Sequence, residues 1–405
     1  MSTPRTPAEP TRIRPDGSTP RLLFSLPPLS LYVHVPWCIR KCPYCDFNSH
    51  ALKGELPEAE YLEALQADLE QALPLIWGRQ IVSVFIGGGT PSLLSAQAVD
   101  QMLGMFRAML NVWPGTEITL EANPGTAEAA RFQAYAAAGV SRLSLGVQSF
   151  NDAALTALGR VHDGRQALAA IDMAKNAFER INLDLMFGLP GQSREESLRD
   201  LDTALKHEPS HLSLYQLTLE PNTVFAKYPP ALPDEDTIAL MQEAMAPRLQ
   251  AAGFEQYEVS AWARPDQQAV HNVNYWEFGD YLGLGPGAHS KLSFPDRVIR
   301  QERRRRPESW MQHAIRHDAS HISADRRIRA DEFPFEFMLN ALRLKEGVPL
   351  SLYFERTGQP MKSIGDQLAR ARERGLLENS ALHLRASPLG WRFLNELQAE
   401  FLTDC

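Results

Sequence analysis

The stretch Leu31-Tyr-Val-His-Val-Pro-Trp-Cys38-Ile-Arg-Lys-Cys42-Pro-Tyr-Cys45-Asp-Phe-Asn-Ser-His50 sets the reading of the whole chain. A short apolar run, strand-like from Leu31 to Val35, is followed at once by three cysteines spaced C-x3-C-x2-C. That spacing suits a loop folded around one object, with three thiolates turned toward it. Thiolates select soft metals: zinc, copper(I) or an iron–sulfur cluster. Structural zinc takes four closed ligands, commonly as two cysteine pairs, and no second pair exists here. The remaining cysteine, Cys405, is the last residue. His34 or His50 as a fourth ligand keeps a zinc site in play. A four-iron, four-sulfur (4Fe-4S) cluster held by three cysteines has one open iron, free to bind a substrate or cofactor.

The totals narrow the class. A chain of 405 residues is long enough for two or three domains, one with a sizeable core. Its formal net charge of −8 gives no global basic field for nucleic acid. Four cysteines, three in one loop, make no disulfide framework and point to a reducing compartment, the cytoplasm. There is no run of about eighteen apolar residues and no export signal pattern. A membrane span is therefore not expected, and peripheral membrane contact is left open.

Residues 1–28, rich in Pro, Thr, Ser and Arg, read as a disordered N-terminal arm. From Leu31 strands and helices alternate. Strands are expected at Leu31–Val35, Ile81–Ile86, Glu117–Glu121, Arg142–Val147, Ile181–Phe187 and His211–Leu217. Helices are expected near Pro57–Leu73, Ser95–Leu110, Thr126–Ala138, Asp163–Phe178, Ser193–Leu205 and Asp234–Ala251. Six strands with crossover helices predict a parallel α/β architecture. Six units are too few for an eight-strand barrel, so an open, partial (β/α)6 barrel over residues 29–265 is expected.

In such a barrel, working groups gather at the carboxyl ends of strands. Strand one leads to the cysteine loop and strand two to Gly87-Gly88-Gly89-Thr90. Strand three ends at Glu121, Asn123 and Pro124, and strand four at Gln148 and Ser149, with Arg160 one short helix later. Strand five carries Asp184, and strand six ends near Gln216, Thr218 and Glu220. Glycines without side chains let backbone groups approach a ligand closely, although a tight turn would need them too. Asp184 inside a strand also suits a core ion pair.

The cysteine spacing, with Tyr44 just before Cys45, resembles the radical S-adenosylmethionine (SAM) superfamily. The match sharpens with Tyr32, Gly88-Gly89-Thr90, Glu121 in Leu-Glu-Ala-Asn-Pro, Gln148 in Gly-Val-Gln-Ser-Phe, Arg160 in Leu-Gly-Arg-Val-His and Asp184 in Asn-Leu-Asp-Leu-Met-Phe-Gly-Leu-Pro. From about Leu29 onward the chain resembles the oxygen-independent coproporphyrinogen III oxidase family. The resemblance implies a 4Fe-4S cluster on Cys38, Cys42 and Cys45, with SAM on the open iron. It also implies a SAM site lined by Tyr32, Tyr44, Gly88, Gly89, Thr90, Glu121, Gln148, Arg160 and Asp184.

Two features set the chain apart from the oxidase. Where the oxidase has a further cysteine, two residues after the third cluster ligand, this chain has Phe47. The string His271-Asn272-Val-Asn-Tyr275-Trp276 resembles the mark of the heme-chaperone branch of that family. The implied function is binding heme and delivering it to acceptor proteins, with respiratory-chain enzymes as candidate acceptors. Oxidative decarboxylation of coproporphyrinogen III is the alternative, disfavoured by Phe47, which leaves open whether the chain is an enzyme. A cluster-dependent homodimer is a candidate assembly. A neutral imidazole is a common axial ligand of heme iron, so His271 is the candidate ligand. Tyr275 and Trp276 would stack on the porphyrin, and a hydrogen-bonded loop histidine is the competing reading. His289 and Tyr275 are the runners-up to His271.

Residues 266–328 read as a connecting region around that string. Arg303–Arg306 reads first as a solvated patch, and otherwise as a hold for heme propionates or an acidic partner. From about Arg329 to Cys405, short helices and an alternating Gly375–Ser387 segment predict a small winged-helix-like C-terminal domain. Its ten Lys and Arg nearly cancel its eleven Asp and Glu, so it is not expected to bind nucleic acid. A lid or partner-docking role is expected instead.

Overall fold

A computed structural model describes residues 23, 25–125 and 129–402. Most of the expected arm, 1–28, lies outside the described residues, as do Cys405 and residues 126–128 of one expected helix. Within the described part, Leu23 is buried against the C-terminal core. The carbonyls of Pro27 and Pro28 accept hydrogen bonds from Arg79 and from the Asp280 amide.

The barrel begins with β1 (Leu29–Val35). Two short strands, β2 (Trp37–Cys38) and β3 (His50–Ala51), close the cysteine loop. Then come β4 (Gln80–Gly88), β5 (Asn111–Ala122), β6 (Arg142–Gln148), β7 (Arg180–Phe187) and β8 (His211–Gln216). β1 and β4 to β8 pair in parallel in that order. The return helices are α1 (Glu58–Ile76), α2 (Ala96–Met109), α3 (Phe132–Ala138), α4 (Asp152–Ala157), α5 (Gly164–Ala177) and α6 (Arg194–Lys206). α7 (Val224–Lys227) and α8 (Glu235–Ala251) follow β8. Capping boxes Asp163/Gln166 and Ser193/Glu196 start α5 and α6 by satisfying amides that the first turn leaves free. The expected open six-strand barrel is present.

Alternation along the strands decides which side is wet. Leu31, Val33, Val84, Ile86, Leu120, Leu143, Leu145 and Leu183 pack outward with Tyr61, Leu65, Leu69, Val99 and Phe106 of the helices. The other face is polar and hydrogen-bonds to itself. Ser30 Oγ lies 2.8 Å from Ser83 Oγ. Asn182 Nδ2 donates to Ser144 Oγ at 2.8 Å, and Ser144 Oγ donates to Asp184 at 3.1 Å. His211 Nδ1 lies 2.6 Å from Asn182 Oδ1. Buried polar groups cost free energy unless paired, so these contacts keep a polar lumen stable.

Residues 255–328 do more than connect. β9 (Glu255–Gln256) and β10 (Ala261–Ala263) extend the sheet antiparallel beyond β8. α9 (Val270–Trp276) carries the H-N-x-x-Y-W string. β11 (Asp280–Leu284) pairs in parallel with the free edge of β1. β12 (His289–Ser293), β13 (Val298–Arg303) and β14 (Ile322–Arg327) continue antiparallel, with α10 (Pro307–Ala314) between the last two. The result is one twelve-stranded sheet. Gly283 interrupts β11, and β12 to β14 are too rich in polar and charged residues to show an apolar alternation. Arg303 is not part of a solvated patch either; it is buried and paired with Asp68, and Arg304 donates to the Ser320 carbonyl.

The C-terminal module contains α11 (Phe333–Ala341), β15 (Val348–Pro349), α12 (Ser351–Thr357), α13 (Gly365–Glu373), β16 (His383–Leu384), α14 (Pro388–Arg392) and α15 (Leu394–Ala399). Antiparallel contacts Val348–Leu384 and Leu377–Ala386 form its small wing. Phe333, Phe337, Tyr353, Leu384 and Phe401 share one core with Tyr257, Ala261, Ala263 and Phe278 of the barrel side. The module therefore packs onto the barrel's open edge. Among the described residues no helix is long and apolar enough to cross a membrane.

Asp68 of α1 ties these layers together. Its carboxylate accepts from Arg303 at 3.1 Å, His321 at 3.1 Å, Trp310 Nε1 at 3.1 Å and the Gly285 amide at 3.2 Å. Burial pushes its carboxyl pKa up, but Arg303 and His321 pull harder and leave it below the ordinary value. A depressed carboxyl contributes stability above its unfolded pKa and loses it as pH falls through the folded one. Asp68→Ala leaves Arg303 buried and unpaired, so we expect a loss of about 3–5 kcal/mol in urea unfolding at neutral pH. The gap between wild type and variant should narrow in acid, and an unchanged gap at low pH would contradict this account.

Candidate functional site

The cysteine loop is held at both ends. β2 and β3 align Trp37 with His50 and Cys38 with Ala51, and the Leu52 amide donates to the Cys38 carbonyl at 2.8 Å. Inside this ring a turn closes from the Cys45 amide to the Cys42 carbonyl at 3.2 Å. Asn48 fastens the loop to the far sheet, its Nδ2 donating to the carbonyls of Pro286 and Arg305 at 2.9 and 2.8 Å. His34 Nε2 lies 2.9 Å from the Asn48 carbonyl. The three cysteines are free and partly buried.

They face a cavity of about 470 Å³ at the carboxyl ends of the strands. Tyr44, Gly88, Gly89, Thr90, Glu121, Gln148, Arg160 and Asp184 line the same cavity. So eight of the nine residues assigned to SAM by resemblance come together with the thiols. Tyr32 does not: it faces the lumen one layer deeper, its hydroxyl 2.9 Å from His34 Nδ1 and its ring stacked on Phe85 at 6.3 Å. Ser144 and Tyr215 also line the cavity and were not singled out from the sequence. The signal was there: Arg142, Ser144, Gly146 and Gln148 alternate inward along β6, as His211, Ser213 and Tyr215 do along β8.

The glycines serve the backbone as well as the cavity. Gly88 has φ +114°, and a Cβ there would sit 2.7 Å from the His34 ring. Its amide donates to Glu121 Oε2 at 3.0 Å. Burial and the neighbouring Asp184 push the Glu121 carboxyl up to about 8. Burial likewise raises Asp184, against hydrogen bonds from Asn182, Ser213 and Ser144. Asp184 is held by these neutral groups; it is not a core ion-pair partner.

Arg160 reaches the thiols. One Nη donates to Asn123 Oδ1 at 2.5 Å and to the Gly146 carbonyl at 2.8 Å, and the other lies 3.7 Å from Cys42 Sγ. Its Nε is buried without a partner among the described residues. Three thiols beside a fixed guanidinium, an unused donor and two buried carboxylates fit an anionic iron–sulfur cluster and a cationic amino-acid cofactor. The two histidines of the zinc reading are turned elsewhere: His34 bonds Tyr32 and Asn48, and His50 Nε2 lies 3.3 Å from Asn48 Oδ1.

The H-N-x-x-Y-W residues lie away from the thiol cavity and are not all on one face. His271 packs on Phe85 at 4.9 Å and on Tyr32 at 6.4 Å, with Nδ1 3.1 Å from Ser83 Oγ. Tyr275, one helical turn on, stacks on Tyr281 at 4.8 Å. Trp276 falls about 140° round the helix from His271. It packs on the C-terminal core with the Arg343 guanidinium over its ring at 4.4 Å. The expected joint stacking of Tyr275 and Trp276 on one porphyrin is thus not the arrangement seen. His289 is largely exposed and 3.9 Å from Glu302.

Glu121 yields a test. A carboxyl whose folded pKa is raised contributes most at low pH and loses that contribution as pH rises through the folded value. Cofactor-free wild type should therefore lose stability relative to Glu121→Gln as pH rises from about 5 to about 8. Urea unfolding at several pH values measures this, and a pH-independent difference would show that Glu121 is not held as the acid.

Comparison with known proteins fits this geometry. Residues 32–204 match the Radical SAM superfamily and residues 328–393 the HemN C-terminal domain. The chain is 47% identical over 384 residues to the Heme chaperone HemW of Escherichia coli (strain K12), covering 94% of this chain and 100% of that one. It is 44% identical to the Heme chaperone HemW of Haemophilus influenzae, covering 94% and 99%. Among solved structures it is similar to the coproporphyrinogen III oxidase (HemN) from Escherichia coli, described as a radical SAM enzyme. The TM-score is 0.80 at 22% identity, over 93% of this chain and 91% of that one, which bears on the fold alone. This chain belongs to the radical SAM superfamily and, within it, to the heme chaperone HemW family.

Proposed function

We propose that this chain is a heme chaperone, binding heme and passing it to acceptor proteins. The observation that carries this reading is its 47% identity, over essentially its whole length, to a protein named for that function. The residue at the oxidase's extra cysteine position adds to it, since Phe47 is 60% exposed at the rim of the thiol cavity. The oxidase shares the fold at 22% identity, and fold alone does not transfer chemistry.

Membership in the superfamily implies a 4Fe-4S cluster and SAM. Cys38, Cys42 and Cys45 would hold the cluster. Bound there, the cluster would supply a coordination site for SAM and, when reduced, an electron. Arg160 would offset the negative charge at Cys42. Glu121 and Asp184 would accept hydrogen bonds from the cofactor, while Tyr44, Gly88, Gly89, Thr90 and Gln148 shape its walls. Tyr32 would act from the layer below, through His34. For heme, His271 is the proposed ligand. Burial, with Arg142 adding to it, pushes its imidazole pKa down to about 3. The ring therefore stays neutral, the form that binds iron. Its Nδ1 is taken by Ser83, which leaves Nε2 for the ligand bond.

The finer partners belong to the same proposal: respiratory-chain enzymes as acceptors, a cytoplasmic location with peripheral membrane contact, and a homodimer dependent on the cluster. Ile39 and Phe47, both more than half exposed beside the cysteines, support a contact at that loop.

Anaerobically purified, cluster-loaded protein titrated with hemin should show a saturable Soret shift. His271→Ala should weaken it by roughly tenfold or more. Single Cys38, Cys42 or Cys45→Ala variants should lose iron and sulfide. Coproporphyrinogen with SAM and reductant should yield no protoporphyrinogen. An absent Soret shift in the wild type would overturn the chaperone reading, and protoporphyrinogen formation would favour the oxidase.

A further inference from the structure

Arg142 is the anomaly of the barrel interior. It sits on β6 facing the lumen and is only 2% exposed. Yet its side chain makes no hydrogen bond or ion pair among the described residues, and its Nε is a buried, unpartnered donor. Two other arginines differ from it: Arg303, equally buried, is fully paired, and Arg160, half-buried at the rim, keeps partners on both Nη although its Nε is likewise unpartnered. Arg303 pairs with Asp68, and Arg160 is bonded to Asn123 and Gly146. An unpaired buried guanidinium is expensive unless something anionic completes it.

Its neighbours narrow what that is. Phe85, Thr119 and Arg142 are consecutive register partners across β4, β5 and β6, and all three face inward. They span two strand spacings, roughly 10 Å. Thr119 Oγ1 is also buried with no partner. His271 packs on Phe85, and its Nε2 carries no hydrogen bond to a described residue. Three unused polar groups thus share one level of the lumen. Glu121 and Asp184 feel the Arg142 charge, but neither carboxylate forms an ion pair with it among the described residues, and each carboxylate nearby has other partners. Glu117 pairs with Arg180 at 2.6 Å. Glu121 accepts from the Gly88 amide, and Asp184 from Ser144 and Asn182. His211 is closed between Asn182 and Tyr257. The rings of Tyr32, Phe85, His271 and Tyr275 beside them are not fully buried and form an aromatic wall on this side of the lumen.

We propose that Arg142 and Thr119 form a carboxylate-binding subsite inside the barrel, beside His271, which receives a propionate arm of a tetrapyrrole. A guanidinium and a hydroxyl donating to one carboxylate make charge-assisted hydrogen bonds. The aromatic wall offers a flat apolar surface to a macrocycle. The identity of the carboxylate rests on the heme reading above; the existence of the subsite does not. A small free carboxylate carries the same chemistry, so the test separates the two sources.

Cluster-loaded full-length wild type, Arg142→Met, Arg142→Lys and Thr119→Val are titrated with hemin and with hemin dimethyl ester, whose propionates are blocked. Melting temperatures are read in sodium propionate and in sodium chloride at equal ionic strength. The expected result is a loss of about tenfold or more in hemin affinity for Arg142→Met. Arg142→Lys should recover part of it, Thr119→Val should lose a few-fold, and the ester should bind all four proteins alike. Equal hemin affinity in wild type and Arg142→Met, or equal loss of hemin and ester, overturns the tetrapyrrole assignment. If the wild type binds no hemin, the heme reading fails by itself and the melts decide the subsite. Stabilisation by propionate that depends on Arg142 then supports a free-carboxylate site, and no such difference overturns the subsite. Should Arg142→Met fail to fold, the lysine and valine variants carry the same comparisons.

Discussion

Strand β1 is hydrogen-bonded along both edges, and the rest of the molecule hangs on that. On one side Leu29–Val35 pairs with β4; on the other Leu29–Val33 pairs with β11. A strand clamped this way cannot slip without turning every inward side chain outward. Its exit fixes where the cysteine loop begins, and the Gly89 amide bonded to the Val35 carbonyl at 2.7 Å puts the glycine turn beside it. Three thiols and a glycine-walled cavity therefore meet on one rim.

The same strand joins the two candidate regions. Its inward residues form a line: Ser30 meets Ser83, which holds His271, while Tyr32 and His34 lead through Asn48 to the cysteine loop. The rim cavity and the α9 side of the lumen are thus two levels of one polar interior. A lumen lined with hydroxyls, amides and carboxyls must be paired nearly throughout to be stable. That condition makes the few unpaired groups, Arg160 Nε at the rim and Arg142 and Thr119 below, informative about what enters.

The resemblance to the oxidase and the family membership operate at different levels. The shared fold supplies the barrel, the rim and the appended C-terminal module. Within that fold, the local groups of this chain include Phe47 at the rim and α9 laid against the lumen by Ser83 and Phe85. Function on such a scaffold is a property of these local groups. The C-terminal module closes the open edge through a common core with Tyr257 and Phe278, so it contributes to the barrel's stability as well as its shape.

Much of this was legible in the chain. The C-x3-C-x2-C spacing, the six apolar strand bodies and the polar residues at their ends are local patterns, and period-two or helical repeats record them directly. The strands of 280–327 were not legible, because β11 carries a glycine and pairs with the far edge of β1, some 250 residues away in sequence, and β12 to β14 are mostly polar. Nor could the sequence say that Arg303 is buried on Asp68, that Tyr32 lies below the cavity, or that Trp276 turns away from His271. Those are facts of which face meets which neighbour. Residue types and spacings determined what chemistry the chain can hold. Long-range pairing alone decided which of those groups are satisfied and which are left open to a ligand, because burial and partnership exist only once distant segments are brought together.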